Sequence, residues 1–424
     1  MTGFIEKDGT LHVDSVPLNE IAENVGTPCY IYSASTIESQ FLKLKGAMEK
    51  ALPKDRQPLL CFASKANSNV AILSLLRSLG SGCETGSEGE LLRALKAGFK
   101  GNQIVTTGVG KTEHEIALSL NAGVLQFNVE SIPEVHTINK VASELGKTAE
   151  IAFRLNPDVA GGGHSKISTG RKTDKFGILT EQIYDAFSQA SSLSNIKPVG
   201  MSMHVGSQVF EVERFKEAFS RIPDVVKTLR AQGHKVTRLD IGGGFPIQYN
   251  NEKLLDLDLY AQWVNDIIVP LDTEIIMEPG RYLVGNAGII LSEVLYVKET
   301  PEKNFLIIDA GMNDLIRPAM YDAYHGIEPV TETNRARKLY DVVGPCCESG
   351  DTFTKDREIA EMKQGDLCAI REAGAYGASF SLNYNSRPNA AEVMVKDGQY
   401  SIIRPRQTYE DILGRDIIPD WIAS

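Results

Sequence analysis

The chain has 424 residues, 44 basic and 55 acidic, and a formal net charge of −11. Hydrophobic residues at 42% and charged residues at 23% are ordinary globular values and exclude a mainly disordered or fibrous chain. The acidic balance argues against nucleic acid or an anionic membrane as the main partner, and a chain of this length predicts two or three domains. No apolar run approaches ~18 residues, so no membrane-spanning helix is expected. The start, MTGFIEKDGT, has acidic residues and no apolar core, so no signal peptide is read. Six cysteines (Cys29, Cys61, Cys83, Cys346, Cys347, Cys368) include no CxxC pair. They read as reduced thiols of a cytoplasmic protein, with neither a disulfide framework nor a metal site.

In chain order, the first segments are LHVDSVPL and PCYIYS, strand-like and short. From about residue 58 to 280, β-rich runs alternate with helical stretches. The strands are LLCFAS (59–64), a short one near Gly82–Glu84, QIVTT (103–107), VLQFNV (124–129), EIAFRL (150–155), VGMSMHV (199–205), VTRLDIG (236–242) and EIIMEP (274–279). The helices between them include NVAILSLLRSLG (69–80), EGELLRALKAG (88–98), KTEHEIALSLNAG (111–123) and VERFKEAFSRIPDVVKTLRAQG (212–233). Several end in Gly, as a helix C-terminus favours. The strands look apolar on both faces, as parallel strands are. Eight such units predict a (β/α)8 TIM-like barrel. An open doubly wound sheet would want a GxGxxG turn after the first strand, and none is there.

After Arg281 the pattern changes. GIILSEVLYV (288–297), NFLIID (304–309), KLYDVVG (338–344), GDLCAI (365–370), AEVMV (391–395) and YSIIRP (400–405) are strand-like, separated by turn residues. They predict a second, mostly antiparallel β-domain that the N-terminal stretch joins. The expected division is 1–35 and 282–424 for the β-domain, with the barrel at 36–281 inserted between.

A barrel places its chemistry at the C-terminal ends of its strands. Lys65, Glu84, Arg154, His204, Gly242–Gly244 and Glu278-Pro279-Gly280-Arg281 fall there. A Gly-rich turn closes backbone N–H groups on a phosphate, and an Arg beside it adds charge-assisted bonds. A semi-buried strand-end lysine suits Schiff-base chemistry. A carboxylate facing a pyridine nitrogen keeps it protonated. Lysine, phosphate cradle and carboxylate together point to pyridoxal 5'-phosphate. Taken singly, each has a plainer reading: a surface lysine, a strand-end turn, a core histidine, a structural Glu–Arg pair. Their coincidence at strand ends on one face carries the inference.

FASKAN, HVGSQ, GGGFP, EPGR, GPCCESGD and AGAYG stand in the order of the alanine-racemase-fold, type III PLP-dependent decarboxylases, which the chain resembles from about residue 28 onward. RPAMYDAYH (317–325), CESGD (347–351) and AGAYG (373–377) narrow the resemblance to the branch that converts meso-2,6-diaminopimelate to L-lysine and CO2. The resemblance implies a barrel plus β-domain and these roles. Lys65 carries the cofactor, His204 stacks on its ring and Glu278 meets the pyridine nitrogen. Ser207, Gly243, Gly244, Gly280 and Arg281 surround the phosphate and the nearby substrate end. Tyr376 reaches the cofactor and the substrate from the β-domain, and Glu84 and Arg154 support the ring. Arg317, Tyr321 and Glu348 contact substrate, and Cys347 is the acid that reprotonates carbon. It further implies a homodimer in which Cys347 and Glu348 serve the partner's barrel.

Two departures from the family pattern stand out: Ser202 where a second histidine is frequent, and Glu84 and Glu88 where aspartate and glycine are common. Three other readings stay open at this stage. They are a sister decarboxylase for ornithine, arginine or a carboxylated polyamine precursor, an amino-acid racemase, and a non-catalytic PLP-binding homologue. Retention of both Lys65 and Cys347 weighs against the last.

Overall fold

The computed structural model describes residues 3–156 and 175–422. Its contacts divide the chain into two compact units. One comprises Glu38–Gln248 and Glu252–Leu283; the other comprises residues up to Ile37, Tyr249–Asn251 and the chain from Val284 onward.

The first unit is a closed barrel of eight parallel strands, numbered here β1 (Leu59–Ala63), β2 (Gly82–Thr85), β3 (Ile104–Thr106), β4 (Gln126–Val129), β5 (Ala149–Asn156), β6 (Ile196–Met203), β7 (Arg238–Asp240) and β8 (Glu274–Met277). Closure is direct: Ile276 and Met277 of β8 pair with Leu59 and Leu60 of β1, and β4 pairs with β5 through Phe127 and Ile151. A two-residue strand, Ile178–Leu179, adds to β5. All residues of β2, β3 and β4 are buried, which accounts for apolar runs without alternation. The helices that follow β1 to β4 each begin with a side-chain cap: Asn69, Ser87, Thr112 and Ser131. At Thr112 the cap is reciprocal with Glu115, a capping box that satisfies two N–H groups at once. Gly123 ends that helix at φ +70°, where a Cβ would be strained.

The stretch 212–233 is two helices, Val212–Phe219 and Ile222–Ala231, and not the single one expected. Pro223 sits in the first turn of the second, where its missing N–H costs nothing; inside one continuous helix it would have broken an i→i−4 bond.

In the second unit the strands run, across a nine-stranded sheet, Thr352–Ala360, Arg337–Val343, Asn304–Ile308, Gly288–Glu299, Cys29–Ser33, Ala391–Lys396 and Gln399–Arg404. Leu367–Ile370 pairs with Gly288–Glu299, and Ile327–Pro329 with Leu367–Ile370. Most ladders are antiparallel; Cys29–Ser33 with Ala391–Lys396 and Asn304–Ile308 with Arg337–Val343 are parallel. The N-terminal residues make a separate three-stranded sheet, Phe4–Lys7, Thr10–Val13 and Val16–Pro17. Phe4, Leu11, Val13 and Leu18 share one apolar core with Ile31, Ile289, Leu291 and Val393. No helix among the described residues is long and apolar enough to cross a membrane.

Candidate active site

The C-terminal ends of the barrel strands gather the polar groups. Lys65, Thr107, Asn128, Arg154, Ser202, Met203, His204 and Glu278 line one cavity. Lys65 lies in a 3₁₀ turn directly after β1, its side chain about half exposed, and its Nζ stands 3.5 Å from Oε2 of the buried Glu84 on β2.

Opposite in sequence, β7 and β8 each deliver a buried carboxyl, Asp240 and Glu278. One amide serves both: Asn128 Nδ2 donates to Asp240 Oδ2 at 2.9 Å and to Glu278 Oε1 at 3.1 Å. Gln126 Nε2 donates to Asn128 Oδ1 at 2.8 Å and so fixes which way that amide points. Asp240 Oδ1 also accepts the Gly242 N–H at 2.9 Å. Burial, then the charge of Asp240, holds Glu278 well above the ordinary carboxyl range; burial also raises Asp240. The pair keeps a proton.

His204, just past β6, has its pKa pushed well below the usual imidazole value by burial and by the cations Arg154 and Lys65. It is neutral, and its Nδ1 accepts the Gly243 N–H at 3.4 Å. Arg154 on β5 is aimed by Glu130, Nη1 to Oε1 2.9 Å, and its guanidinium lies 4.6 Å from the Phe176 ring centroid.

The Gly242–Gly244 turn has no room for side chains. A Cβ on Gly243 would fall 2.1 Å from the Glu278 carbonyl oxygen, one on Gly242 2.3 Å from that of Met203, and one on Gly244 2.5 Å from that of Gly206. Gly242 and Gly244 also adopt φ +69° and +100°. Gly280 packs close to Ala63, and Arg281 Nη2 donates to Ser207 Oγ at 3.2 Å.

In the second unit, Arg317 opens a five-residue helix that also holds Tyr321. Arg317 is buried: Nη1 donates to His325 Nε2 at 2.8 Å, and its guanidinium lies 4.7 Å from the Tyr249 ring centroid. His325 in turn donates from Nδ1 to the Arg371 carbonyl at 2.8 Å, which fixes its neutral tautomer. The two adjacent cysteines differ sharply. Cys346 is buried, its thiol 3.5 Å from Asn313 Oδ1, and burial with Asp351 nearby pushes its pKa up to about 11. Cys347 is exposed, its N–H donating to Asn385 Oδ1 at 2.9 Å, and Glu348 beside it is exposed too. Tyr376 is half-buried at φ +56°, its ring 6.1 Å from that of Phe380.

The barrel therefore brings Lys65, Glu84, Arg154, His204 and Glu278 together, with Gly243, Gly244, Gly280, Arg281 and Ser207 on the loops after β6 to β8. Sequence reasoning missed Asn128, Asp240, Thr107 and Glu130. The available signal was a polar side chain interrupting an otherwise apolar strand, as Asn does in VLQFNV and Asp in VTRLDIG.

A closed parallel barrel with an amine, a carboxyl pair and a glycine cradle at its C-terminal mouth has the parts that a pyridoxal-dependent decarboxylase needs. The family described as "Pyridoxal-dependent decarboxylase, pyridoxal binding domain" matches residues 35–285. A diaminopimelate decarboxylase of Neisseria meningitidis is 46% identical over 408 residues, covering 96% of this chain and 99% of its own. The crystal structure of diaminopimelate decarboxylase from Helicobacter pylori complexed with L-lysine matches with a TM-score of 0.89 at 41% identity, over 94% of this chain and 98% of that one. The enzyme from M. jannaschii in co-complex with L-lysine matches with a TM-score of 0.93 at 36% identity, over the full length of both. The chain belongs to the diaminopimelate decarboxylase family.

The residues present fit that family's cofactor. Ser202 Oγ lines the cavity, buried and without a hydrogen-bond partner, as a group awaiting a polar ligand would be. Backbone takes the space a Cβ would need at Gly242, Gly243 and Gly244, so only a side-chain-free turn fits there, the kind of turn that can close on a phosphate.

Proposed function

We propose that this chain decarboxylates meso-2,6-diaminopimelate to L-lysine and CO2, the last step of lysine biosynthesis, with pyridoxal 5'-phosphate carried on Lys65. The observation that supports it most is convergence on one cavity of Lys65, Glu278 and neutral His204, beside the glycine cradle, in a chain so similar to named diaminopimelate decarboxylases. When bound, pyridoxal phosphate supplies the sink for the electron pair left on carbon as CO2 departs.

The protein's part is to bind, orient and move protons. Lys65 provides the amine, with Glu84 as its counter-charge. Glu278, bonded through Asn128 to Asp240, is assigned to the pyridine nitrogen. His204, kept neutral, offers a flat ring for stacking without adding a cation. Ser207, Gly243, Gly244, Gly280 and Arg281 are assigned to the phosphate, with Arg154 supporting the ring. Arg281, Arg317, Tyr321, Glu348 and Tyr376 are assigned to the substrate, whose distal centre needs both a cation and an anion. Cys347 is the proposed acid; unlike Cys346 it is exposed, so a thiol proton there is accessible. The active form is a homodimer in which Cys347 and Glu348 serve the partner's barrel. Six unpaired thiols favour a cytoplasmic setting.

Incubation with diaminopimelate, ornithine, arginine and lysine, with CO2 and product identified, tests the substrate. The expected result is CO2 and L-lysine from diaminopimelate; faster turnover of ornithine or arginine overturns it. Sodium borohydride should fix the cofactor to the peptide containing Lys65, and Lys65→Ala should lose both that adduct and turnover. An adduct on another lysine would sink the assignment.

A further inference from the structure

Lys111 has no role in the assignments above, yet its ammonium is among the most enclosed charges of the barrel. It precedes the Thr112 cap of the helix after β3, and its side chain is only 5% exposed. An ammonium has three donors, and Lys111 uses all of them: the Gly108 carbonyl at 2.8 Å, the Asn128 carbonyl at 2.8 Å and Glu134 Oε1 at 2.6 Å. Glu134, itself 9% exposed, accepts the Glu130 N–H on its other oxygen at 2.7 Å. The Glu130 carboxylate then takes Arg154 Nη1 at 2.9 Å and the Gly177 N–H at 2.7 Å. Two cations and two anions thus balance in a buried row, the arrangement in which buried charge is tolerated.

Both ends of this row reach the cavity. Through the Asn128 backbone, Lys111 fixes the residue whose amide bridges Asp240 and Glu278. Through Glu134 and Glu130 it fixes Arg154, which lines the same cavity. We propose that Lys111 is a positioning residue for the cofactor site: by anchoring Asn128 and, through the two glutamates, Arg154, it sets how tightly pyridoxal phosphate is held. The inference rests on the cofactor reading above.

The test uses the full-length chain freed of cofactor and titrated with pyridoxal phosphate, with thermal melting followed in parallel. Lys111→Met leaves Glu134 charged and unpaired and should lower the melting temperature. Lys111→Met with Glu134→Gln removes both charges, and the glutamine oxygen still accepts the Glu130 N–H; melting should recover. Cofactor affinity should stay about 10–100-fold weaker in both, the scale on which losing the partner behind a metal ligand weakens metal binding. A double variant with wild-type affinity and a wild-type cofactor absorption spectrum would make Lys111 merely structural and overturn the proposal. Lys111→Arg keeps the charge, but its planar fork cannot reach three separately directed acceptors. It should melt near the wild type and still bind several-fold more weakly; unchanged affinity there overturns the proposal even if the methionine variants do not fold. Failure of the wild type to take up pyridoxal phosphate at Lys65 would count against the functional reading instead.

Discussion

Glu278 and Asp240 tie one residue's ionisation to the stability of the cofactor-free protein. Both carboxyls are raised in the fold, chiefly by burial, above the 4.5 and 3.8 of the free groups. The native state therefore holds a proton that the unfolded chain releases, and stability falls as pH rises above about 4.5. Glu278→Gln removes that group, so the cofactor-free variant should lose less melting temperature between roughly pH 5 and pH 8 than the wild type does. Its turnover should drop strongly while cofactor binding survives, because an amide cannot hold the pyridine nitrogen protonated. Equal pH slopes in the two proteins would rule out the shared proton. Cys347→Ala should slow turnover by about 10²–10⁴-fold, the range of a lost general acid. Cys346→Ala should change it little, since that thiol is buried against Asn313. Steady-state kinetics on the two variants separates them, and a slow Cys346→Ala with an unaffected Cys347→Ala would reverse the assignment. Lys65, His204 and Glu278 were readable in the sequence because each ends an apolar run at the functional face. Asn128 and Asp240 were not, because they sit within the runs, where one polar residue reads as noise until the barrel closes and places it beside another.

Among the elements, the turn after β7 is the least forgiving. Gly243→Ala would drive a Cβ into the Glu278 carbonyl oxygen at the end of β8, and backbone there cannot yield cheaply. Overpacking of this kind costs about 1–3 kcal/mol. The variant should melt lower and bind pyridoxal phosphate more weakly, because the same displacement moves the cradle and Glu278 together. Wild-type melting with wild-type affinity would mean the turn relaxes freely. The eight barrel strands were legible as apolar runs because parallel strands are buried on both faces. Thr352–Ala360 was missed for the converse reason: TFTKDREIA buries only Phe353 and Ile359 and exposes most of its charges, so composition hides it. Its pairing with Arg337–Val343 is a property of the partner strand, which no reading of the segment alone could supply.

At the scale of the whole molecule, the proposed dimer makes a prediction that no monomer satisfies. Lys65→Ala subunits, inactive, and Cys347→Ala subunits, strongly slowed, mixed under conditions of proven exchange, should regain part of the wild-type activity, since one hybrid site has both wild-type residues. No recovery would leave each site within one chain. The order of strands in the second unit has a further consequence. Cys29–Ser33, with all five residues buried, lies between Gly288–Glu299 and Ala391–Lys396. On the ribosome this strand emerges well before its second neighbour, Ala391–Lys396, a wait of tens of seconds at roughly 5–20 residues per second. The barrel between them has time to close while that apolar strand still lacks a neighbour on at least one side. A chain cut short before Ala391 would keep the barrel's sequence intact and leave this sheet without the partner of its central strand, so premature termination yields a sticky edge and not a smaller enzyme.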